Sequence, residues 1–315
     1  MFLKDIEKLS ENYKNIYVFG HANPDGDSVG ATLALSRLLK KNNINSKIVL
    51  KDVPSTYNFL DFDGFLQKEA IESIDLAIVL DCGDIDRLGD FKAIVQQAEC
   101  IINIDHHISN DNFGHHNFVR PEASSTSEIV YDMLQDKSLL DKDIAMALYT
   151  GIIYDTGVFK HSCTTENTHI IAGSLIKHGF DFTEVINKVF AYKSLTGLKA
   201  QSKAIENIEM YLWDKIVVSY LTRNEIQALD ITKKHTESIV QMINDIEGVE
   251  FAVFIYEMEL HEHKVSLRSH GKVDACKIAQ SYGGGGHFRA SGFSYEGHLS
   301  ILIQELVKAI EKQLN

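Results

Sequence analysis

The chain has 315 residues, of which 44% are apolar, 24% charged and 9% aromatic, with only three prolines. This composition belongs to a packed globular protein and excludes collagen-like, low-complexity and wholly disordered classes. At roughly 150 residues per domain, the length predicts two domains. Its 44 acidic residues against 31 basic ones leave a net charge of −13, so no overall positive field draws long duplex nucleic acid or an anionic membrane surface. A phosphate-ester substrate would need local neutralisation, for which bound divalent cations are the obvious source.

Cys82, Cys100, Cys163 and Cys276 stand far apart with no C-x-x-C pair. They signal neither a disulfide framework nor a zinc ribbon, and a reducing compartment fits. The opening stretch MFLKDIEKLSENYKN is charged along its length, and no run approaches the roughly 18 apolar residues of a membrane span. A cytoplasmic chain with no membrane partner is expected.

The first half alternates short apolar runs with amphipathic segments: IYVF (16–19) then VGATLALSRLLKKN, KIVL (47–50), LAIVL (76–80) then FKAIVQQA, and CIINI (100–104). Runs of this length, bounded by turn residues, predict a buried parallel sheet with crossover helices. From Ser125 to about Phe180 the pattern is helical, with Ser125 and Glu128 at capping-box spacing and Gly179 placed as a C-cap. A polar-rich helical stretch, FTEVINKVFAYKSLTGLKAQSKAIENIEMY, reads as a connector rather than a flexible linker. Beyond it, KIVVSYL, NEIQAL, ESIVQMINDIEG, FAVFIYEM, HKVSLRSH, DACKIAQSYG, GFSY and LSILIQELVKAIEKQL predict a smaller α/β domain. The expected division is 1–185 for the first domain, 186–212 for the helical connector and 213–315 for the second domain.

In open α/β sheets, ligands gather at the carboxyl ends of the strands. Acids and histidines fall there in this chain. IYVF runs into G-H-A-N-P-D-G-D, presenting His21, Asp25 and Asp27; LAIVL ends at Asp81; CIINI ends at Asp105-His106-His107; and Asp155 closes the helical run IAMALYTGIIYD. Each cluster alone has a structural reading: NPDGD is a good turn, and a single Asp after a strand is often a helix N-cap. Together they would gather several negative charges in one place, a repulsion that cations between them relieve. Mixed imidazole and carboxylate without thiolate suits Mn²⁺, Fe²⁺, Zn²⁺ or Co²⁺ better than Ca²⁺, and the several carboxylates favour the harder end, with Mn²⁺ the first choice. Cys82 beside Asp81 points to the opposite face of its strand. The acid-rich DCGDIDRLGD lacks EF-hand spacing.

These motifs, H-A-N-P-D-G-D, VLDCGD, D-H-H at 105–107 and YDTG, resemble the successive motifs of the DHH phosphoesterase superfamily. The segments R-S-H-G and G-G-G-G-H resemble the DHH-associated domain of its nanoRNase branch, which comprises oligoribonucleases that are also pAp phosphatases. The resemblance spans nearly the whole chain. It implies one Mn²⁺ held by His21, Asp25 and Asp81 and a second by Asp27, Asp81, His106 and Asp155, with Asp81 bridging. Two such ions about 3.5–4 Å apart activate a shared water and clamp the attacking and leaving oxygens of an in-line displacement at phosphorus. His107 is then a candidate to contact the scissile phosphate or protonate the leaving oxygen, and Asp105 to orient a neighbouring imidazole.

In the second domain, Arg268 has a guanidinium fork suited to a phosphate. Glycines 283–286 by themselves read as a C-cap and flexible turn. The match to the family's glycine signature assigns Gly284, Gly285, Gly286 and His287 to substrate binding, and Arg120 and Ser124 are further candidate contacts. The implied function is hydrolysis of very short oligoribonucleotides to mononucleotides and of pAp to AMP. Substrates of about two to five nucleotides need a local site rather than an extended basic groove. Hydrolysis of pApA or a cyclic dinucleotide by the same centre is the nearest alternative. A non-catalytic metal-containing nucleotide-binding or RNA-binding protein is the alternative of a different class. A homodimer is a candidate assembly.

Overall fold

The computed structural model describes residues 3–67 and 71–314 and divides the chain into two units, Met1–Tyr192 and Lys193–Asn315. In chain order the first unit carries α1 (Leu3–Ser10), β1 (Ile16–Phe19), α2 (Gly26–Lys41), β2 (Ser46–Val49), β3 (Leu76–Leu80), α3 (Lys92–Val95), β4 (Cys100–Asp105), β5 (His116–Val119), α4 (Thr126–Met133), α5 (Lys142–Asp155), α6 (Glu166–Ile176) and α7 (Phe182–Ile186). Its strands pair in the order β2-β1-β3-β4-β5, and every pairing is parallel.

Both faces of this sheet are covered, which is why β3 and β4 read as unbroken apolar runs. Alternate residues Val18, Ile78, Leu80, Ile102 and Ile104 pack with Val29, Leu33, Ile129, Leu148 and Ile152 of the helices. The intervening Phe19, Ala77, Val79 and Ile101 pack with Leu88 and Val95 on the other side. The chain leaves β1 for β2 on one side and returns to β3 on the other, so the order reverses between β1 and β3, where ligands collect beyond the strand ends. The fifth strand, β5, is absent from the sequence-based expectation. It is a four-residue edge strand, HNFV, with His116 and Asn117 exposed and Phe118 and Val119 half-buried, so it shows neither an apolar run nor alternation.

The stretch expected as a connecting helix is interrupted. After α7 comes a π turn over Asn187–Ala191; Tyr192 is extended, and Ser194 caps a new helix by accepting from the Gly197 N–H. That helix, α8 (Leu195–Glu206), buries Ala200 and Ala204 in a core of the second unit. The units part at Tyr192/Lys193, inside the expected connector.

The second unit continues with β6 (Glu209–Tyr211), β7 (Ile216–Leu221), α9 (Arg223–Ala228), α10 (Lys233–Thr236), α11 (Ile239–Asn244), β8 (Phe251–Glu259), β9 (Glu262–Ser269), α12 (Ala275–Ser281), β10 (Gly285–His287), β11 (Ala290–Glu296) and α13 (Leu299–Leu314). The sheet order is β10-β11-β9-β8-β7-β6; only β7 and β8 pair in parallel. One face packs Val253, Ile255, Val265 and Leu267 under α12 and α13, and the other packs Val217, Ala252 and Phe254 under α8 and α11. Among the described residues, no helix is long and apolar enough to cross a membrane.

Candidate metal centre

The strand ends at the reversal point deliver the carboxylates and imidazoles, and backbone donors aim them. Asp25 caps α2: its Oδ1 accepts the N–H groups of Asp27 and Ser28, each at 3.1 Å. This cap leaves Oδ2 to face His21 Nε2 at 3.5 Å, so the turn reading and the ligand reading of NPDGD describe the same residues. Asp27, in the first turn of α2, is fully buried. Its two oxygens accept the N–H groups of Thr126 and Ser127 at 2.6 and 2.9 Å, which are otherwise unpartnered donors at the start of α4. Gly151 on α5 clears the room, since a Cβ there would lie 2.5 Å from Asp27 Oδ1.

Asp81 follows β3 with φ of 60°, the left-handed region that Asp tolerates better than most side chains. Its N–H continues the ladder to Ile104 O while its side chain turns into the cluster. One carboxylate oxygen, Oδ2, lies 3.5 Å from His21 Nε2. The other, Oδ1, lies 3.7 Å from His106 Nε2 and receives the Thr126 hydroxyl at 3.3 Å. His106 Nε2 is also 3.0 Å from Asp155 Oδ2 at the end of α5.

The ligand atoms of His21, Asp25 and Asp81 converge within 4.8 Å, as do those of Asp27, Asp81, His106 and Asp155. Asp81 thus belongs to both groups, and also to a third convergence with His106 and His107.

So many buried carboxylates shift one another's proton affinity. Burial, with the charges of Asp155 and Asp81, pushes Asp27 well above its usual range. Burial, with Asp81 and Asp25 adding to it, raises Asp155 to about 6 against the opposing effect of His106. Burial disfavours charge on both imidazoles, yet Asp25 and Asp81 raise His21 to about 9, and Asp155, Asp27 and Asp81 raise His106 to about 10. The cluster therefore demands positive charge.

A divalent cation fits that demand. His21 Nε2 is buried with no hydrogen-bond partner, standing 3.5 Å from a carboxylate oxygen of both Asp25 and Asp81. Donors about 2.1 Å from a common ion lie about 3.0–3.4 Å from each other, close to that spacing. Cys82 takes no part, being fully buried among Phe19, Val79 and Leu88, where burial and the Asp81 charge push its thiol pKa well up.

His107 stands beside this cluster, its Nδ1 3.8 Å from Asp81 Oδ1. Nδ1 donates to Asp105 Oδ1 at 2.7 Å, and Arg87 Nη1 lies 2.9 Å from Nε2. A guanidinium only donates, so Nε2 accepts and the ring proton sits on Nδ1. Asp105 also receives Asn110 Nδ2 at 2.6 Å; burial acts to raise its pKa, and the bonds from His107 and Asn110 overcome it and hold it low. Arg87, Asn110, Thr126 and Ser127 escaped the sequence reading. Arg87 was legible as the lone cation of DCGDIDRLGD.

Arg120 and Ser124 are engaged elsewhere. Arg120 pairs with Glu122 and Asp132, and Ser124 is fully buried with its hydroxyl donating to Glu128 at 2.5 Å. Ser125 caps α4 as expected, but Glu128 does not close the capping box. Its carboxylate turns instead to Ser124, Asn167 and Thr168.

Residues 15–152 match the DHH family, N-terminal domain, and residues 214–315 match the DHHA1 domain. Over 291 residues, 89% of both chains, the sequence is 33% identical to the "Probable bifunctional oligoribonuclease and PAP phosphatase NrnA" of Streptococcus mutans. The chain belongs to the DHH family. A Thermus thermophilus relative named "Bifunctional oligoribonuclease and PAP phosphatase NrnA" is 28% identical, covering 95% of this DHH chain and 90% of its own. The crystal structure of an exopolyphosphatase-related protein from Bacteroides fragilis superposes with a TM-score of 0.89 at 26% identity, covering 98% of this chain and 95% of its own. DHH phosphoesterases are metal-dependent, in keeping with the buried acidic and histidine cluster.

In the DHHA1 unit, the strand register puts Arg268 and His287 in one row: His287 pairs with Ala290, and Ala290 with Arg268. Paired residues point to the same face, so the two side chains flank Ala290 about 10 Å apart, two strand spacings. Arg268 is half-buried, its Nη1 donating to Leu267 O at 2.9 Å, and burial lowers its pKa. Among the described residues no carboxylate pairs with it. Gly285 and Gly286 form β10 with His287 rather than the flexible turn that glycine content alone suggests. A Cβ on Gly284 would lie 2.3 Å from Gly292 O, and one on Gly286, where φ is 140°, 2.6 Å from Ala290 O. Both glycines are needed for β10 to lie against β11.

Proposed function

We propose that this DHH protein is a divalent-metal phosphoesterase that hydrolyses very short oligoribonucleotides to mononucleotides and removes one phosphate from pAp. One observation carries the reading: Asp81 offers one carboxylate oxygen to each of two ligand groups. Single-ion structural sites have no use for that arrangement. The names of the relatives that match along nearly the whole chain supply the substrate class.

His21, Asp25 and Asp81 would hold one ion, and Asp27, Asp81, His106 and Asp155 the other. The donor set of carboxylates with imidazoles, lacking thiolate, favours Mn²⁺. When bound, such ions supply Lewis-acid stabilisation of charge at phosphorus and lower the pKa of water. The chain's own residues do the rest. Backbone donors of α4 fix Asp27, the cap of α2 fixes Asp25, and Asp105 fixes the His107 ring so that it meets the phosphoryl group. Arg268 and His287 would hold a terminal phosphate or nucleotide on the second sheet. One guanidinium beside an imidazole suits a short anion in a chain whose net charge is −13, where a long strand would meet repulsion.

The test is nucleotide release by purified protein from pAp, dinucleotides and a long oligoribonucleotide, with Mn²⁺ and with EDTA. Turnover of pAp and dinucleotides that EDTA abolishes is expected. Metal-independent activity, or preference for the long strand, overturns the reading.

A further inference from the structure

Arg87 lies in the 3-10 turn Ile85–Phe91 that follows β3, and its backbone is tied on both sides. Its N–H donates to Asp84 Oδ1 at 3.1 Å, and its carbonyl accepts the Ala22 N–H at 2.8 Å, which joins this turn to the loop bearing His21 and Asp25. The position is thus fixed by the same segment that carries metal-ligand candidates.

Its guanidinium differs from the other two in this unit. Arg37 is neutralised by Asp61 and Asp143, and Arg120 by Glu122 and Asp132. Arg87, beside the most acidic cluster of the unit, meets no carboxylate among the described residues. One N–H goes to His107 Nε2 at 2.9 Å, and among the described residues the remaining donors have no hydrogen-bond acceptor. Holding a neutral imidazole acceptor needs one donor and no charge. A fork of N–H groups with full positive charge matches phosphoryl oxygens, which accept in pairs.

We infer that Arg87 is a substrate-binding residue of the reaction site, donating to non-bridging oxygens of the phosphoryl group under attack while it holds His107 against that group. This rests on the phosphoesterase reading above, and deepens it by assigning the protein's own counter-charge for the scissile phosphate to the first unit, separate from Arg268. Loss of such a donor costs about 10²–10³-fold in turnover.

The experiment compares wild-type, Arg87→Ala and Arg87→Lys proteins, all Mn²⁺-loaded. It measures kcat/KM on pAp and on a dinucleotide, together with calorimetric affinities for Mn²⁺ and for inorganic phosphate. Expected for Arg87→Ala is a loss of at least about 100-fold in kcat/KM on both substrates, at least tenfold weaker phosphate binding and unchanged Mn²⁺ affinity. Arg87→Lys should recover only a minor part, because an ammonium lacks the planar fork. Phosphate affinity unchanged in Arg87→Ala overturns the inference, as does a fall in Mn²⁺ affinity matching the fall in kcat/KM. A wild-type protein inert on both substrates overturns the phosphoesterase reading instead, and the phosphate titration still decides Arg87.

Discussion

The two sheets present chemistry in opposite ways. In the first unit the chemical groups are buried or half-buried, and backbone donors from a distant helix fix the oxygens of the most deeply buried one, as the Thr126 and Ser127 N–H groups fix Asp27. In the second, Arg268 and His287 share a row of an antiparallel region and owe their placement to strand register alone. A buried cluster is sensitive to any atom added nearby, whereas a register-built row yields when the strand pairing slips or a charge is removed. The first arrangement suits bond-breaking, where small displacements cost much rate, and the second suits holding a ligand.

Asp81→Ala should break the comparison most severely: it removes the residue common to both ligand groups, so metal-dependent turnover should fall by at least about 10³-fold, and Mn²⁺ calorimetry should show the loss of both strong sites. Near wild-type activity would refute its shared role.

Gly151→Ala should come next. The added methyl would lie 2.0 Å from Ser127 Oγ and 2.5 Å from Asp27 Oδ1, so overpacking of about 1–3 kcal/mol is expected, with weakened Mn²⁺ binding, although residue 151 binds nothing itself. Unchanged metal affinity would show that the α5–Asp27 approach is not tight in solution.

Arg268→Ala sharpens the contrast from the other side. It should raise KM for pAp about tenfold with a smaller fall in kcat, since it removes binding rather than chemistry, and should leave Mn²⁺ affinity alone. A fall confined to kcat would place Arg268 in the chemical step.

The smallest effect concerns pH. His21 and His106, raised to about 9 and about 10, hold protons in the folded metal-free protein that the unfolded chain loses near pH 6.5. Their contribution to stability is complete below pH 6.5 and is lost as pH rises through 9 to 10. The thermal midpoint of EDTA-treated protein should therefore drop by several degrees over this window. Saturating Mn²⁺ should flatten the slope by displacing those protons; an equal slope with and without Mn²⁺ would contradict metal binding at these imidazoles.

The sequence made visible those features that local chemistry writes in one place. β1, β3 and β4 were legible as apolar runs because both faces of the sheet are covered, and the carboxylates were legible because acids follow those runs directly. The short strands β5, β6 and β10 were not, since edge position and partial exposure erase the apolar pattern that marks buried strands. The partner of Glu128 illustrates the second limit. Ser-x-x-Glu spacing predicts a bond three residues away, yet the carboxylate takes the Ser124 hydroxyl just before the cap and, 40 residues on, that of Thr168, because burial forces it towards whatever donors the fold brings near. Arg87 was visible as a lone cation in an acidic segment, but its partner was not, because His107 lies 20 residues away.

The left-handed backbone at Asp81 has a consequence for how this protein balances endurance against activity. Glycine adopts that conformation without the penalty of about 1–3 kcal/mol carried by sparsely populated backbone shapes, and a glycine there also deletes a crowded negative charge. In the absence of metal, Asp81→Gly should therefore gain from the relaxed backbone and lose the carboxylate shared by His21 and His106, so its stability advantage should appear only at high pH, where those imidazoles no longer hold protons, while it stays catalytically dead. Position 81 is where the polypeptide keeps an uncommon backbone shape so that one carboxylate points two ways.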